Sequence, residues 1–348
     1  MDTVVVLLNF GEPAEPTRES VLPYLERIFF DNASLERFES EADARERARE
    51  LAERRVDGLL EEYATIGGSP LDEQARSQAE QVRRTLADRG FEPVVEVAMQ
   101  YTDPLIEDVA ISLAKQGITR VIALPVYPLS GPSTNIGAVD DLEAAINAID
   151  SDIDLQAVTG WHRHPVYTRL RVENVASYLE EAGLSLEDPG TELFFSAHGT
   201  PTSYLEDGSR YDQYVGEHTE TVARLLGVET YTLGYQNHAS RSVSWTEPDV
   251  ETALQTVEAD RVVVEPTSFL HEQSETLHEL DVELAEEAEK LGLDFYRVPV
   301  PHDDQRLGSI VADLLEPFLA DFDPRTYQLR ACQCRNESNT YCLNAPCM

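Results

Sequence analysis

His198 is the residue best placed in the sequence for proton or metal chemistry. It follows the apolar run Leu193–Ala197 and is held by Gly199 and Pro201 in what the sequence predicts to be a turn at the end of a strand. An imidazole has an ordinary pKa near 6.5, which suits proton transfer or metal ligation at neutral pH. The alternative is a loop histidine that caps the following helix.

A row of glutamates follows a later apolar run, Arg261–Pro266. The row consists of Glu272, Glu275, Glu279 and Glu283. The last three are spaced by four residues, so a helix would place them on one face, where like charges repel unless water or a cation intervenes. Carboxylate oxygens suit a hard divalent cation, and one histidine beside them suits Fe²⁺. The alternative is an ordinary solvated helix face in an acidic protein.

Aromatic residues accompany these loops and predict a flat apolar pocket. They are Phe10, Tyr127, Tyr235, Trp245 and Phe269. Each of them, taken singly, is equally compatible with an ordinary core position.

All four cysteines lie in the last part of the chain, with the spacing C-x-C-x7-C-x4-C. They are Cys332, Cys334, Cys342 and Cys347. In a chain that we expect to be intracellular, this clustering favours a metal site over a disulfide framework. Four thiolates suit tetrahedral zinc or a [2Fe–2S] cluster, and the alternative is a tail of thiols that bind nothing.

The elements that must position these residues alternate between apolar runs and amphipathic segments. The predicted strands are Thr3–Phe10, Pro93–Gln100, Thr119–Val126, Asp154–Thr159, Glu192–Ala197, Glu229–Tyr235, Arg261–Pro266 and Asp294–Pro299. The predicted helices include Leu142–Ile149, Val166–Glu181, Tyr211–Leu226 and Ser274–Leu291, together with the long helical region Leu35–Arg89. This alternation predicts an α/β protein with parallel sheets covered on both faces.

We interpret the pattern as two Rossmann-like, doubly wound domains, residues 1–160 and 161–322, followed by a cysteine-rich tail, residues 323–348. A single eight-stranded barrel is the alternative. In doubly wound sheets, ligands bind beyond the carboxyl ends of the strands, which is where His198 and the aromatic residues fall. No G-x-G-x-x-G opens a helix after the first strand, so dinucleotide binding of the usual kind is not expected.

The charge is extreme for a chain of 348 residues, with 65 acidic side chains against 27 basic ones and a net charge of −38. Only Lys115 and Lys290 are lysines. An acidic surface nearly free of lysine predicts a halophilic, salt-adapted protein, because molar salt screens the self-repulsion. The same charge excludes nucleic acid as a partner. The absence of a long apolar run and of a leader-like N-terminus predicts a cytoplasmic protein without a membrane span.

Six segments, taken together and in order, resemble the ferrochelatase family. They are LLNFGEP, YATIGGSPL, ALPVYPLSGPST, LFFSAHGTP, the Tyr-Gln pair at 235–236 with Trp245 beyond it, and PTSFLHEQSETLHELD. The resemblance runs from about residue 3 to about residue 320, and the SAHG-x-P and ETL-x-ELD segments are its specific parts. It implies two Rossmann-like domains around a porphyrin cleft and the insertion of Fe²⁺ into a porphyrin to make haem.

The resemblance also implies roles for individual residues. His198 and Glu275 match the family's paired groups for metal handling and proton acceptance, and Glu272 is retained beside them. Glu279 and Glu283 match an acidic route along a locally widened helix. Residues that match positions facing the macrocycle or its propionates are Ser69, Tyr127, Ser130 and Thr134, and we add Phe10, Trp245 and Phe269 as porphyrin-binding residues. Some relatives carry a C-terminal [2Fe–2S] cluster, which favours iron–sulfur over zinc in the cysteine tail.

Two departures from the family pattern bear on specificity. Gln273 replaces a histidine that some relatives place near the metal, which leaves the metal preference open. Phe10 stands where coproporphyrin-using relatives carry tyrosine, so we expect protoporphyrin IX, with coproporphyrin III as the alternative.

Two other functions remain open at this stage. One is a chelatase for another tetrapyrrole and metal, such as cobalt into sirohydrochlorin, with His238 or His271 as a second histidine. The other is a non-catalytic porphyrin or haem carrier. A monomer or homodimer with peripheral membrane contact fits the poor solubility of protoporphyrin.

Overall fold

The computed structural model of the protein describes residues 3–33, 38, 40–149, 151–237, 243–320, 334–335 and 337–344. Within these residues, two separate parallel sheets organise the chain. The first has the strand order β2-β1-β3-β4-β9, and the second has the order β6-β5-β7-β8. The predicted α/β class with two doubly wound parallel sheets is confirmed, and the alternative of one closed barrel is wrong.

The predicted strands all form, with ends shifted by a few residues. Their bounds are β1 Thr3–Asn9, β2 Val94–Met99, β3 Arg120–Pro125, β4 Asp154–Thr159, β5 Thr191–His198, β6 Thr232–Gln236, β7 Arg261–Pro266 and β8 Asp294–Arg297. A further short strand, β9 (Thr340–Cys342), lies in the cysteine-rich tail and pairs with β4. The tail therefore completes one edge of the first sheet, which the sequence pattern did not predict.

The helices cover the sheets. Their bounds are α1 Arg18–Asn32, α2 Glu41–Ile66, α3 Leu71–Asp88, α4 Ile106–Lys115, α5 Gly137–Ala148, α6 Pro165–Ala182, α7 Thr202–Glu206, α8 Tyr211–Leu225, α9 Val250–Leu254, α10 Ser274–Leu277, α11 Ala285–Leu291 and α12 Gln305–Leu319. Two π-helical segments, Pro132–Ile136 and Glu279–Leu284, precede α5 and α11. Among the helices in the described part of the chain, none has the length and apolarity needed to cross a bilayer.

Strand β1 shows why continuous apolar runs form this fold. Side chains alternate between the two faces of a strand, so Val5 and Leu7 enter one core while Val4, Val6 and Leu8 enter another. Both faces are covered by helices, and each of these five residues is at most 2% exposed. Because burial of such a side chain contributes about 1.5–3 kcal/mol, a strand apolar on both faces is stable only inside a covered sheet.

The end of the chain returns to the first sheet. The apolar face of α12, which includes Leu307, Ile310 and Val311, joins the core between α3 and that sheet. Arg89, at the end of α3, pairs with Asp313 and Glu316 on the exposed side of the same contact. Elements on either side of residue 160 thus contribute to one core, and the division into domains at that residue stays a prediction.

Candidate active site

The carboxyl ends of β5, β6 and β7 bring together side chains from distant parts of the sequence. His198 is the last residue of β5, and Glu275 lies in the short helix α10. The imidazole Nε2 is 2.9 Å from the Glu275 carboxylate Oε1. On the other side of the ring, Nδ1 lies 2.6 Å from the Gly199 carbonyl oxygen. The imidazole is therefore oriented by two acceptors that lie on opposite sides of it.

Asn237 connects the two members of this pair. Its amide Nδ2 donates to Glu275 Oε1 at 2.8 Å and lies 3.3 Å from His198 Nε2. Its backbone has φ 61°, the left-handed region that L-residues other than asparagine and aspartate seldom adopt. Such a conformation costs free energy and is retained where the surrounding structure requires it. No role for Asn237 was predicted from the sequence, although it directly follows the Tyr-Gln pair.

The pair carries opposite charges at neutral pH. Burial lowers the pKa of His198, but the Glu275 carboxylate and its hydrogen bond outweigh that effect and raise the pKa to about 9. Burial raises the pKa of Glu275, but the His198 imidazolium and the amides of Asn237 and Gln273 outweigh it, so that this pKa is lowered. The arrangement is an imidazolium–carboxylate pair in which the Glu275 side chain is 13% exposed and the His198 side chain 36%.

Gln236 links this pair to the next carboxylate along the helix. Its Nε2 donates to the Glu275 backbone oxygen at 2.8 Å and to Glu279 Oε2 at 2.9 Å, while its Oε1 accepts from Ser196. Burial and the neighbouring Glu275 charge raise the pKa of Glu279 to about 8. Glu279 is thus largely protonated at neutral pH, which makes it suited to passing protons.

Glu12 is a buried carboxylate near the pair to which no role was assigned from the sequence. It lies after β1, is 3% exposed, and accepts a hydrogen bond from the Ser274 backbone N–H at 3.0 Å. Burial and the Glu275 charge raise the pKa of Glu12. The contact joins the first half of the molecule to the start of α10. The motif LLNFGEP contained this signal, but nothing in the sequence placed Glu12 beneath Glu275.

The loop after β7 is fixed by a buried ion pair. Arg171, in α6, is 1% exposed and pairs with Glu265, and it also donates to the carbonyl oxygens of Pro266 at 2.9 Å and Phe269 at 3.0 Å. The loop held in this way carries Ser268, whose Oγ accepts from the backbone N–H of His198 at 3.0 Å. The loop that bonds to the backbone of His198 is therefore itself held by a buried ion pair.

Glu272 is not part of the cluster around His198. Its Oε1 accepts from Arg297 at 2.6 Å and from the Val300 backbone N–H at 2.8 Å, and its Oε2 accepts from Thr276 at 2.6 Å. Because these donors occupy both oxygens, the carboxylate is engaged in holding the loop in place. The prediction of Glu272 as a metal ligand has no support in this geometry.

A cavity with about 760 Å³ of empty space opens above the pair, with walls from both halves of the molecule. Four of the predicted porphyrin-binding residues line it: Phe10, Tyr127, Thr134 and Phe269. Three others do not: Ser69 lies beside Glu12, Ser130 lines an adjoining cavity, and Trp245 forms a bridge to Pro201. The central cavity is thus predominantly apolar, with the ionised pair at one wall.

A second, acidic cavity has Gln236 and Asn237 in its wall. It has about 1220 Å³ of empty space and is lined by Glu279, Glu283 and Glu251 among others. The helix is π-helical here, as the resemblance implies, over Glu279–Leu284. The side chain of Glu283 is 61% exposed, and its Oε1 lies 3.8 Å from His278 Nδ1. Its partial burial raises the pKa of this carboxyl group.

The remaining candidate residues do not join the pair of His198 and Glu275, although His271 lines the central cavity. His271 is buried, its Nε2 is 3.1 Å from Gln78 Oε1, and burial lowers its pKa to about 3. His238, Cys332 and Cys347 lie outside the described residues. Cys342 lies in β9 opposite Thr159, and Cys334 accepts a hydrogen bond from Asn344 at 3.7 Å. Within the described ranges, no group of three or more potential ligands that could hold a metal is present.

The fold is that of a chelatase. The solved structure of SirB from Bacillus subtilis with Fe³⁺ superposes with a TM-score of 0.51 at 11% identity, over 92% of this chain and 97% of that one. This likeness shows the fold alone.

The sequence comparisons define the family. The family model for ferrochelatase matches residues 2–318. Similar relatives are the ferrochelatases of Synechococcus sp. (strain RCC307), 33% identical over 91% of this chain and 82% of the relative, and of Geobacter sp. (strain M21), 30% identical over 90% and 98%. The chain belongs to the ferrochelatase family, and its activity is the insertion of ferrous iron into a porphyrin in haem biosynthesis.

Proposed function

We propose that His198 and Glu275 handle the metal and the pyrrole protons of a porphyrin held in the central cavity. The observation that carries this proposal is the 2.9 Å contact between His198 Nε2 and Glu275 Oε1 at the wall of that cavity. Iron insertion requires a base for two pyrrole protons and donors that replace the water around Fe²⁺. An imidazole and a carboxylate are suitable for both tasks.

The protonation state of the pair sets the order of events. An imidazolium cannot accept a proton, so His198 must first transfer its proton before it can serve as a base. Gln236 connects its neighbour Glu275 to Glu279, because the Gln236 amide donates to the Glu275 backbone oxygen and to the Glu279 carboxylate. Glu279 in turn lines the acidic cavity. We assign Glu279 and Glu283 to this route, by which protons leave or the metal enters. Glu272 is left out because its oxygens are already engaged.

Anaerobic Fe²⁺ insertion into protoporphyrin IX by purified protein tests these roles. His198→Ala and Glu275→Gln are each expected to lower kcat by at least about a hundredfold, as loss of a positioned acid–base group does. Glu180→Gln, which removes an exposed carboxylate of α6, is the matched control and is expected to match the wild type. Turnover that survives both active-site substitutions would contradict the assignment, and tight porphyrin binding without turnover by the wild type would favour a carrier.

We propose protoporphyrin IX as the substrate in preference to coproporphyrin III. Phe10 lines the cavity and packs edge-on against Tyr101, with ring centroids 4.5 Å apart. An apolar ring at this position offers no hydrogen bond to an additional propionate. Parallel assays with both porphyrins are expected to give the higher kcat/KM with protoporphyrin IX, and the reverse order would overturn this choice.

We also propose that the cysteine tail holds a [2Fe–2S] cluster, with zinc as the alternative. The neighbourhood of the two described cysteines supports this proposal. Cys342 is opposite Thr159, and Cys334 Sγ lies 3.3 Å from where a Cβ on Gly160, the residue after Thr159, would be. The Asn344 amide on that sulfur resembles the hydrogen bonds that tune cluster thiolates. Bound there, the cluster would supply one-electron chemistry or structural support to β9.

Metal analysis of anaerobically purified protein tests the tail. Two iron ions per chain, acid-labile sulfide and visible absorption are expected. All three should be lost in Cys342→Ser. One zinc without colour would select the alternative, and absence of both metals would contradict a metal site.

The salt adaptation, the cytoplasmic location, peripheral membrane contact and a monomeric or homodimeric state stay proposals. Salt adaptation is supported by the net charge of −38. It predicts a higher Tm in multimolar KCl than in dilute buffer, because salt screens the repulsion between carboxylates. An unchanged melting curve would contradict it.

A further inference from the structure

The loop that leads from β7 to α10 is held by three side chains from the other half of the molecule. The contacts join His271 to Gln78 at 3.1 Å, Glu272 to Gln74 at 2.8 Å and Ser274 to Glu12 at 3.0 Å. Gln74 and Gln78 belong to α3, and Glu12 follows β1. The loop therefore takes its position from elements that pack on the first sheet, although it follows a strand of the second.

The contact made by Glu12 acts directly beside the catalytic carboxylate. Glu12 Oε2 accepts from the backbone N–H of Ser274, and Glu12 Oε1 accepts from the Ser274 hydroxyl. One residue thus gives both of its donors to the two oxygens of one carboxylate, which fixes its position and its rotation. Because Ser274 directly precedes Glu275, the same contact fixes the backbone that carries the Glu275 side chain.

Helix α10 needs such external support. It is only four residues long, Ser274–Leu277, and a single helical turn is not stable by itself. The first N–H groups of a helix have no partner within it. Glu12 supplies the acceptor for one of them, from a segment 262 residues away in the sequence. Without this acceptor, α10 would be less firmly held relative to β5, which carries His198.

Glu12 is buried behind the central cavity. It is 3% exposed, and the walls of that cavity, as far as the described residues form them, include Glu275 but not Glu12. Burial and the Glu275 charge raise the pKa of Glu12, while the hydrogen bonds of Ser274 and Ser69 oppose this shift. A buried carboxyl group is costly unless such donors satisfy it. Glu12 is thus placed to act on α10 and not on the porphyrin.

We propose that Glu12 is a positioning residue for iron insertion, which clamps Ser274 so that Glu275 stays at hydrogen-bond distance from His198. This inference rests on the proposed roles of His198 and Glu275. A misplacement of about 1 Å can cost a hundredfold in rate. The clamp depends on reach and on two polar atoms. A glutamine has the same length, and it can accept the Ser274 N–H with its oxygen and donate to the Ser274 hydroxyl with its amide.

Two substitutions of Glu12 separate its reach from its charge. Glu12→Asp keeps the charge but is one methylene shorter, and Glu12→Gln keeps the length but not the charge. Ser274→Ala removes only the hydroxyl from the other side of the contact. Glu192→Asp is the matched control, because Glu192 is a half-buried carboxylate that accepts from the Thr232 hydroxyl at 2.5 Å. It lies at the other end of β5, roughly 20 Å from His198.

Each variant is measured by steady-state iron insertion into protoporphyrin IX and by NMR titration of the His198 imidazole. For Glu12→Asp, we expect kcat to fall at least about tenfold at unchanged KM. The pKa of His198 should fall by about one pH unit, because the carboxylate that raises it is held less closely. Ser274→Ala should lower kcat about threefold and shift the titration in the same direction. Glu12→Gln should stay within about threefold of the wild type in kcat, and Glu192→Asp should match it.

Four results would overturn the proposal. Glu12→Gln as slow as Glu12→Asp would show that charge matters and not reach. A raised KM at constant kcat would place Glu12 in contact with the porphyrin. A lower kcat without movement of the His198 titration, or the same loss in Glu192→Asp, would show a role that does not pass through the pair. Wild-type behaviour of both Glu12→Asp and Ser274→Ala would remove the clamp altogether.

The titration separates this inference from the proposed function, because it needs no substrate. Retained turnover in His198→Ala and Glu275→Gln would contradict the catalytic roles, while the His198 titration in Glu12→Asp would still report whether Glu12 holds the pair together. Conversely, loss of turnover in those two variants with an unchanged titration in Glu12→Asp would contradict the clamp alone.

Discussion

Replacement of Glu275 by glutamine is expected to lower the pKa of His198 by more than two pH units. In the folded protein the Glu275 carboxylate and its hydrogen bond outweigh burial and raise this pKa to about 9. Without that charge, burial opposes only the Gly199 carbonyl and the more distant Glu279, so the pKa should fall to the region of its ordinary value, about 6.5. Glu279 also raises the pKa of His198, but it ranks below the contributions of Glu275.

NMR titration of the histidine Cε1–Hε1 signals measures this change without any substrate. The His198 signal is identified by its absence in His198→Ala. Glu180→Gln, the exposed carboxylate variant, removes the same charge from a distant site and is expected to leave the His198 titration where it is in the wild type.

The reasoning is refuted if the His198 titration in Glu275→Gln moves by less than about half a pH unit. That result would mean that the two side chains do not form an ion pair in solution, whatever their separation in the structure.

Three further predictions concern neighbouring residues. Asn237→Gly keeps the positive φ without strain but removes the side-chain amide that donates to Glu275. We therefore expect kcat, measured by steady-state assay, to fall about tenfold, and Tm, measured by calorimetry, to change little. A large loss of Tm would contradict this prediction. Glu279 has a pKa of about 8 when folded against about 4.3 unfolded, so the folded state binds more protons between these values. The free energy of unfolding should therefore fall as pH rises from about 4.3 to about 8, and denaturant melts should show a weaker pH dependence in Glu279→Gln. Glu272→Gln should cost about 3 kcal/mol of stability by leaving Arg297 underpaired while kcat per folded molecule is retained, and a selective loss of kcat would restore Glu272 as a metal ligand.

The strands were predictable from the sequence because parallel strands buried on both faces appear as continuous apolar runs. Strand β1 contributes to two cores at once, which leaves little freedom to its sequence. The pairing of His198 with Glu275 was available through the resemblance. Both residues follow predicted strands, which suggested that they lie at the same edge of a sheet. No periodicity of the sequence could indicate that their side chains, 77 residues apart, are in contact at 2.9 Å.

Other parts of the site depend on packing that a sequence pattern does not encode. Glu12 lies beneath α10 because the two halves of the molecule meet there. Asn237 adopts a positive φ because its amide is held by the pair. Glu272 carries the same charge as the glutamates that follow it and lies three residues before the first of them, but Arg297 and Val300 engage its carboxylate.

The tail was equally hard to predict. Strand β9 is only three residues long, and it is the neighbouring β4 that gives it an edge to pair with. Three residues in a polar, cysteine-rich segment are too few to show the alternation of apolar and polar side chains that predicts a strand. The resemblance matched Ser130 to positions facing the macrocycle or its propionates, and in the structure this residue lines a cavity that adjoins the central one.

A double-mutant cycle in single-turnover iron insertion tests the central claim most directly. Rates are compared for wild type, His198→Ala, Glu275→Gln and the double variant under anaerobic conditions with saturating protoporphyrin IX. Residues that act as one unit give strongly non-additive effects, so the double variant should be no slower than the slower single variant. Losses that multiply would show that His198 and Glu275 act independently, and the account of a coupled pair would then be wrong.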